Sequence, residues 1–299
     1  QSLIGDIFDQ TIEDLDQIQR IYEQHNVKVH RPKVIKQYSN LIQTPSFSTE
    51  GIRNPLAPRD SFIVLGNTIL ETSGHRADMA FDHLYYKNIF LDQYKTCKAN
   101  WIKMPMPSYD DNCVSTEEIY NVEPIMDAAQ ICRLGETLLI SSVGAVNPIG
   151  IDWIIRHFPE YNVVTTGNNI NGHIDAQLKI LKPGLLITPH SKNDLPDVFA
   201  SWDIIGANDN SNTAVTNGAL FRDEDYTNTF PSCCIVSLNE HAVFLYEHAK
   251  ISHSKFIKQL EQHDIEVIFV PFRHQHWFNQ GLTCLTLELS RQGGKQKYI

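Results

Sequence analysis

Two distant stretches of this chain carry the same pattern of polar and apolar positions. One is Tyr22-Glu23-Gln24-His25-Asn26-Val27-Lys28-Val29; the other is Leu260-Glu261-Gln262-His263-Asp264-Ile265-Glu266-Val267. Each reads as the end of an amphipathic helix, a polar turn at Asn or Asp, then a short alternating strand. Before the first, Ile12, Leu15, Ile18, Ile21 and Tyr22 keep helical spacing; before the second, Phe256, Ile257 and Leu260 do. The pattern recurs in weaker letters. A helix around 79–94 precedes Trp101-Ile102-Lys103-Met104-Pro105, one over 151–158 precedes Tyr161-Asn162-Val163-Val164, and one over 195–200 precedes Trp202-Asp203-Ile204-Ile205. Strands are predicted between these units over 61–70, 135–141 and 183–187. A hairpin over 235–245 has Asn239-Glu240-His241 at its tip.

Repetition of strand pair, helix and strand predicts an α/β fold closed into a propeller-like ring. An open α/β sheet of βαβ units is the alternative. No GxGxxG or Walker-type glycine loop lies at a strand-to-helix turn, which removes the usual nucleotide-binding reason for that alternative. No linker rich in Gly, Ser or Pro divides the chain, so one domain is predicted over 1–299. A ring also lets separate blades each bring one or two polar residues to a central pocket.

Composition narrows the function. With 42% hydrophobic and 20% charged residues among 299, a packed core is expected and disorder is not. The formal net charge of −10 argues against nucleic acid or an anionic membrane as partner and suits a cationic or zwitterionic small molecule. No apolar run is long enough to span a bilayer, and the first residues, Gln1-Ser2-Leu3-Ile4-Gly5-Asp6, have no leader-like pattern. Six cysteines, at 97, 113, 132, 233, 234 and 284, include no CxxC pair, so no structural metal is expected. Reduced thiols in a cytoplasmic setting are the default for a chain of this size. Cys233-Cys234 reads as packing at the start of an apolar strand. Arg273-His274-Gln275-His276-Trp277 reads as a loop beside the pocket rather than a metal site.

Candidate chemistry lies in fragments far apart in sequence. Cys284 sits in Gly281-Leu282-Thr283-Cys284-Leu285-Thr286-Leu287-Glu288-Leu289, where glycine runs into an alternating, β-like stretch. Met126-Asp127-Ala128-Ala129 and Gly172-His173-Ile174-Asp175 lie upstream. Brought together, they supply a nucleophile, a proton shuttle and anionic groups for a cation. Singly, each has a plain structural reading: strand punctuation for Asp60, a helix N-cap for Asp127, an exposed loop histidine at His173, buried packing for Cys284.

At these fragments the chain resembles the arginine:X amidinotransferases, of which glycine amidinotransferase is the best-known type. The likeness runs from about Pro58 onward in five ordered stretches. These are the segment from Pro58-Arg59-Asp60 to Glu71, Glu123-Pro124-Ile125-Met126-Asp127-Ala128-Ala129-Gln130, Gly150-Ile151-Asp152-Trp153, His173-Ile174-Asp175-Ala176, and the Cys284 stretch. The resemblance implies a five-bladed, pseudo-symmetric pentein ring and an enzyme without organic or metal cofactor. It implies Cys284 as nucleophile, His173 as acid/base and Asp127 as its partner, with Asp60 and Asp175 holding the substrate guanidinium. Paired carboxylates suit that task because they fix a planar cation bidentately and keep it protonated.

The chain departs from the family pattern where substrates are chosen. The arginine that grips the donor's α-carboxylate in the family falls at Lys192 here, a point charge without the bidentate fork. A serine pair falls at Thr227 and Asn228. A bulky residue before the histidine is Gly172 here, which opens the pocket toward an acceptor larger than glycine. The expected partners are therefore an arginine-like donor and a larger amine acceptor, in a guanidino-alkaloid type of pathway, with room for a homodimer. The alternatives are a guanidine-modifying hydrolase of the arginine deiminase type and a non-catalytic guanidino-ligand binding protein.

Overall fold

In a computed structural model of the chain, residues 3–33, 35, 41–109, 122–170, 172–206, 233, 235–247, 249–278, 281–292 and 298 are described. They fall into two compact units. One comprises His30–Asp175, Lys192–Ala200 and Cys284–Ile299; the other comprises Gln1–Val29, Ala176–Ser191 and Ser201–Thr283. Each unit is assembled from separated stretches of chain.

In the first unit a short pair, β1 (Ile42–Gln43) with β2 (Ser48–Thr49), precedes two three-stranded sheets. β3 (Phe62–Leu65) pairs antiparallel with β4 (Thr68–Glu71), and β5 (Asn100–Lys103) adds parallel to β4 after the helix His83–Thr96. β6 (Ile131–Leu134), β7 (Thr137–Ile140) and β8 (Asn162–Thr165) repeat the plan around the helix Pro148–His157. The hairpins turn at Gly66 and Gly135, whose φ of 57° and 61° suits residues without a Cβ. β3 reads as an unbroken apolar run because both of its faces are covered. Ile63 and Leu65 join a core with Leu138, Ile140, Ile154 and Phe158, while Phe62 and Val64 pack with Tyr85, Tyr86 and Phe90.

The second unit holds β9 (Lys179–Lys182), β10 (Leu185–Thr188) and β11 (Asp203–Gly206), then β12 (Val236–Asn239), β13 (Ala242–Tyr246) and β14 (Glu266–Val270). In each triplet a hairpin is followed by a strand parallel to its second member. Among the described residues this module therefore occurs four times, twice in each unit. The repeat seen in the sequence is also real at atomic level. Asn26 and Asp264 both adopt the left-handed conformation, with φ of 61° and 59°. Val27 N–H donates to Tyr22 O, and Ile265 N–H to Leu260 O, each at 3.0 Å. This is the same helix-ending turn made twice.

Three expectations need correction. Val27-Lys28-Val29 forms no ladder, whereas its counterpart is β14. The helix expected over 195–200 is instead part of two 3-10 turns, Lys192–Asp194 and Asp197–Phe199. Pro196 separates them, with an extended ψ of 147° that a continuous helix cannot accommodate. The Cys284 stretch is a turn at 282–285 and joins no strand ladder over 286–290. Its alternation was read correctly even so: Leu287 and Leu289 pack on the Phe62 core, while Glu288 pairs with Arg133 and Arg291. No described helix is long and apolar enough to cross a membrane.

A Cβ on Gly150 would lie 2.3 Å from the carbonyl oxygen of Ile125. We expect Gly150→Ala to cost about 1–3 kcal/mol in urea unfolding, because backbone has to move. Gly206→Ala, where an added Cβ meets nothing within 4 Å, should stay within about 0.5 kcal/mol of the parent.

Candidate active site

The segment carrying Asp127 is pinned before its side chain is placed. The Asn147 carboxamide accepts from the backbone N–H of Ile125 at 3.0 Å and of Gly150 at 2.7 Å, and donates to Glu123 O at 2.7 Å. Asp127 N–H donates to Ala145 O at 2.8 Å. Asp127 then takes the N-cap position of a 3-10 turn, Ala128–Gln130, but its carboxylate makes no capping bond. It turns instead toward two histidines. His173 Nε2 lies 3.1 Å from Oδ2, His75 Nδ1 lies 2.8 Å from the same oxygen, and His75 backbone N–H donates to Oδ1 at 3.0 Å. The N-cap reading is thus right for the backbone and wrong for the side chain.

Asp127 has no solvent exposure. Burial pushes its carboxyl up, but hydrogen bonds from His173 and His75, with their charge, outweigh that and hold it well below the usual carboxylate range. The opposite holds for His173. Burial pulls the imidazole down, but the hydrogen bond to Asp127 and the charges of Asp60, Asp127 and Asp175 push it up to about 10. The ring is partly open, at 30% side-chain exposure. Since Asp127 is a carboxylate, both rings must donate to it, which leaves Nδ1 as the free edge of His173. That edge lies 3.7 Å from Asp60 Oδ1.

Asp60, at the end of the short helix Pro58–Ser61, has its other oxygen committed. Arg53 Nη1 donates to Oδ2 at 2.7 Å. Arg53 also reaches Asp82 through Nε at 2.8 Å, and Ala57 O and Ser61 Oγ through Nη2, each at 3.0 Å. Burial pushes the Asp82 carboxyl up to about 6, against the pull of Arg53 and Ser61. Asp175 is buried, 3.6 Å from Arg59 Nε.

The structure therefore brings Asp60, Asp127, His173 and Asp175 into one electrostatic group. Cys284 and Lys192 belong to the same unit, Cys284 half-buried and Lys192 exposed at the start of its turn. Gly172 has φ of 88°, and a Cβ there would meet nothing within 4 Å. Thr227 and Asn228 lie outside the described residues. Of the cluster read as a loop over 273–277, Arg273 and His274 lie in a turn and the rest is helical. Arg273 pairs with Asp14 and Glu13, and His274 Nε2 sits 2.8 Å from Gln10 Oε1, ahead of the short helix Gln275–Phe278. Cys233 is buried as expected, and Cys234 lies outside the described residues.

Three residues of this group escaped the sequence reading. Arg53 precedes the Pro-Arg-Asp string and belongs to no motif. His75 follows β4 within Ser73-Gly74-His75-Arg76, where a histidine just past a buried strand was the available signal. Gln130 is fully buried; with its amide oriented to satisfy both neighbours, it donates to Gly172 O and accepts from Ala145 N–H at 2.8 Å. It ties the backbone beside His173 to the Asp127 segment.

With this geometry in hand, known proteins are informative. No protein-family profile matches the chain. It is 30% identical over 302 residues to the L-arginine:L-lysine amidinotransferase of Pseudomonas savastanoi pv. phaseolicola, covering 96% of this chain and 80% of that one. A solved amidinotransferase of saxitoxin biosynthesis from Microseira wollei superposes with a TM-score of 0.80 at 26% identity, over 98% of this chain and 87% of the other. The inosamine-phosphate amidinotransferase of Streptomyces griseus superposes at 0.82 with 24% identity, over 98% and 84%, a likeness of fold. The chain belongs to the amidinotransferases, enzymes of the pentein fold.

The raised His173 makes a signed prediction. A group whose folded pKa is raised contributes stability that is complete below its unfolded value and is lost as pH rises through the folded one. Between the usual 6.5 and about 10, the urea midpoint should therefore fall as pH rises. In His173→Gln this part of the slope should vanish; an unchanged slope would show that another group carries it.

Proposed function

We propose that the protein moves the amidino group of L-arginine, or of a close guanidine analogue, to an amine larger than glycine. The observation that carries this reading is His173 held between Asp127 and Asp60, with Asp175 adding its charge. A histidine that keeps its proton to about 10 rests as imidazolium, the form a general acid needs. The donor guanidinium binds beside Asp60 and Asp175, where Asp60 offers Oδ1 because Arg53 occupies Oδ2. The Cys284 thiolate attacks the central carbon, an S–C bond forms, and the C–N bond to the departing amine breaks as His173 gives it a proton. Ornithine leaves and an amidino-cysteine remains. The acceptor amine then attacks that carbon, the S–C bond breaks, and the amine's proton returns to His173. Two half-reactions of this kind form a ping-pong cycle. Thiolate formation beside several carboxylates is disfavoured, so the imidazolium and the cationic donor offset it.

Two observations favour a larger acceptor. The side chain absent at Gly172 leaves open space, and the relative at 30% identity is named for lysine, whereas those at 26% are named for inosamine phosphate or for glycine. Lys192 would answer the donor α-carboxylate. We read the four modules, each a hairpin with a parallel third strand, as four blades of a five-bladed ring within a single catalytic domain spanning 1–299.

The test is intact-protein mass spectrometry after brief incubation with arginine and no acceptor. We expect the mass of one amidino group on the Cys284 peptide and ornithine in solution, both lost in Cys284→Ala. Citrulline or ammonia without a lasting adduct would instead identify a hydrolase. Neither adduct nor product would make arginine the wrong donor, with Lys192 the first residue to exchange, or point to a binding protein.

A further inference from the structure

His75 plays no part in the chemistry above, yet it is the histidine nearer to Asp127. Its ring nitrogen is 2.8 Å from Oδ2, against 3.1 Å for His173, and its backbone N–H takes Oδ1. One residue thus engages both carboxylate oxygens. The segment delivering it is itself anchored. Ser73 Oγ donates to Pro124 O at 2.7 Å, and the buried Tyr109 hydroxyl lies 3.2 and 3.1 Å from the carbonyl oxygens of Ser73 and Gly74. These bonds lock 73–75 beside the strand-like run that ends in Asp127. The backbone N–H of His75 meets Oδ1, and its ring does not follow it there. The imidazole aims instead at the oxygen that orients His173.

We propose that His75 is a positioning residue for amidino transfer: it fixes the Asp127 carboxylate so that Oδ2 holds the His173 ring with Nδ1 facing Asp60. This rests on the reading of His173 as the acid/base. A carboxylate held at only one oxygen can rotate about its terminal torsion, which is broad for Asp, and would let the imidazole swing. Partners of this kind set ring orientation at tenfold to hundredfold effect in metal-bound histidines, and the same order is expected here.

The experiment follows single-turnover ornithine release from arginine in the parent and in His75→Ala, His75→Gln, His75→Asn and His173→Ala. An asparagine amide nitrogen can stand where Nδ1 stood; a glutamine amide reaches past it. We expect His75→Ala and His75→Gln to lower the limiting rate about tenfold to a hundredfold with the arginine half-saturation unchanged. His75→Asn should restore most of it. A second readout needs no activity: the Nε2–H proton of His173 in nitrogen-edited spectra of histidine-labelled protein. It should persist in the parent and His75→Asn and be lost in the other two His75 variants. Parent rates and a retained signal in His75→Ala and His75→Gln would overturn the proposal. So would a rise in half-saturation matching the loss of rate, which would put His75 on the substrate. An active His173→Ala would instead defeat the acid/base reading, and the proton signal alone would then decide whether His75 orders the ring.

Discussion

A carboxylate cannot sit in a protein interior without compensation, and Asp127 sits there with none of its surface open to water. Three N–H groups compensate it, two of them from imidazoles. Much of the surrounding design follows from this need. Asn147 pins the approach, Gln130 ties the backbone next to His173, and Ser73 with Tyr109 delivers His75. Loss of either histidine would leave a buried charge short of a partner, a larger penalty than the worth of one hydrogen bond.

Around that pair the electrostatics are arranged in layers. Asp60, Asp127 and Asp175 all act on His173, and Arg53 moderates Asp60 without neutralising the group. The protein therefore places a guanidinium of its own beside the aspartate that its substrate guanidinium is proposed to use. Arg53 is spread over Asp60, Asp82, Ser61 and Ala57 O, so it takes only one oxygen of Asp60.

The modules were legible in the sequence because they obey period and turn chemistry. Gly66 and Gly135 close hairpins, and the Asn26 and Asp264 turns end helices in the same way. The 3-10 turns around Pro196 were less legible, because apolar spacing over so few residues does not separate one helical type from another. Asp127, His173 and Asp60 were found through resemblance; no periodicity links positions so far apart. His75 and Arg53 were missed because their roles exist only as distances. A histidine just past a buried strand is a faint local signal, and it does not name a partner 52 residues away.

The unit that holds the histidines also contains Cys284–Ile299, separated from His30–Asp175 by most of the other unit's sequence. During synthesis, His173 and the three aspartates that act on it leave the ribosome long before Cys284. Leu287 and Leu289, which cover the Phe62 core, arrive after it. A nascent or prematurely terminated chain would thus carry the aspartates without Cys284, and with the Phe62 core short of two of its packing side chains. Its thinned apolar cover would mark such a chain for chaperones or proteases.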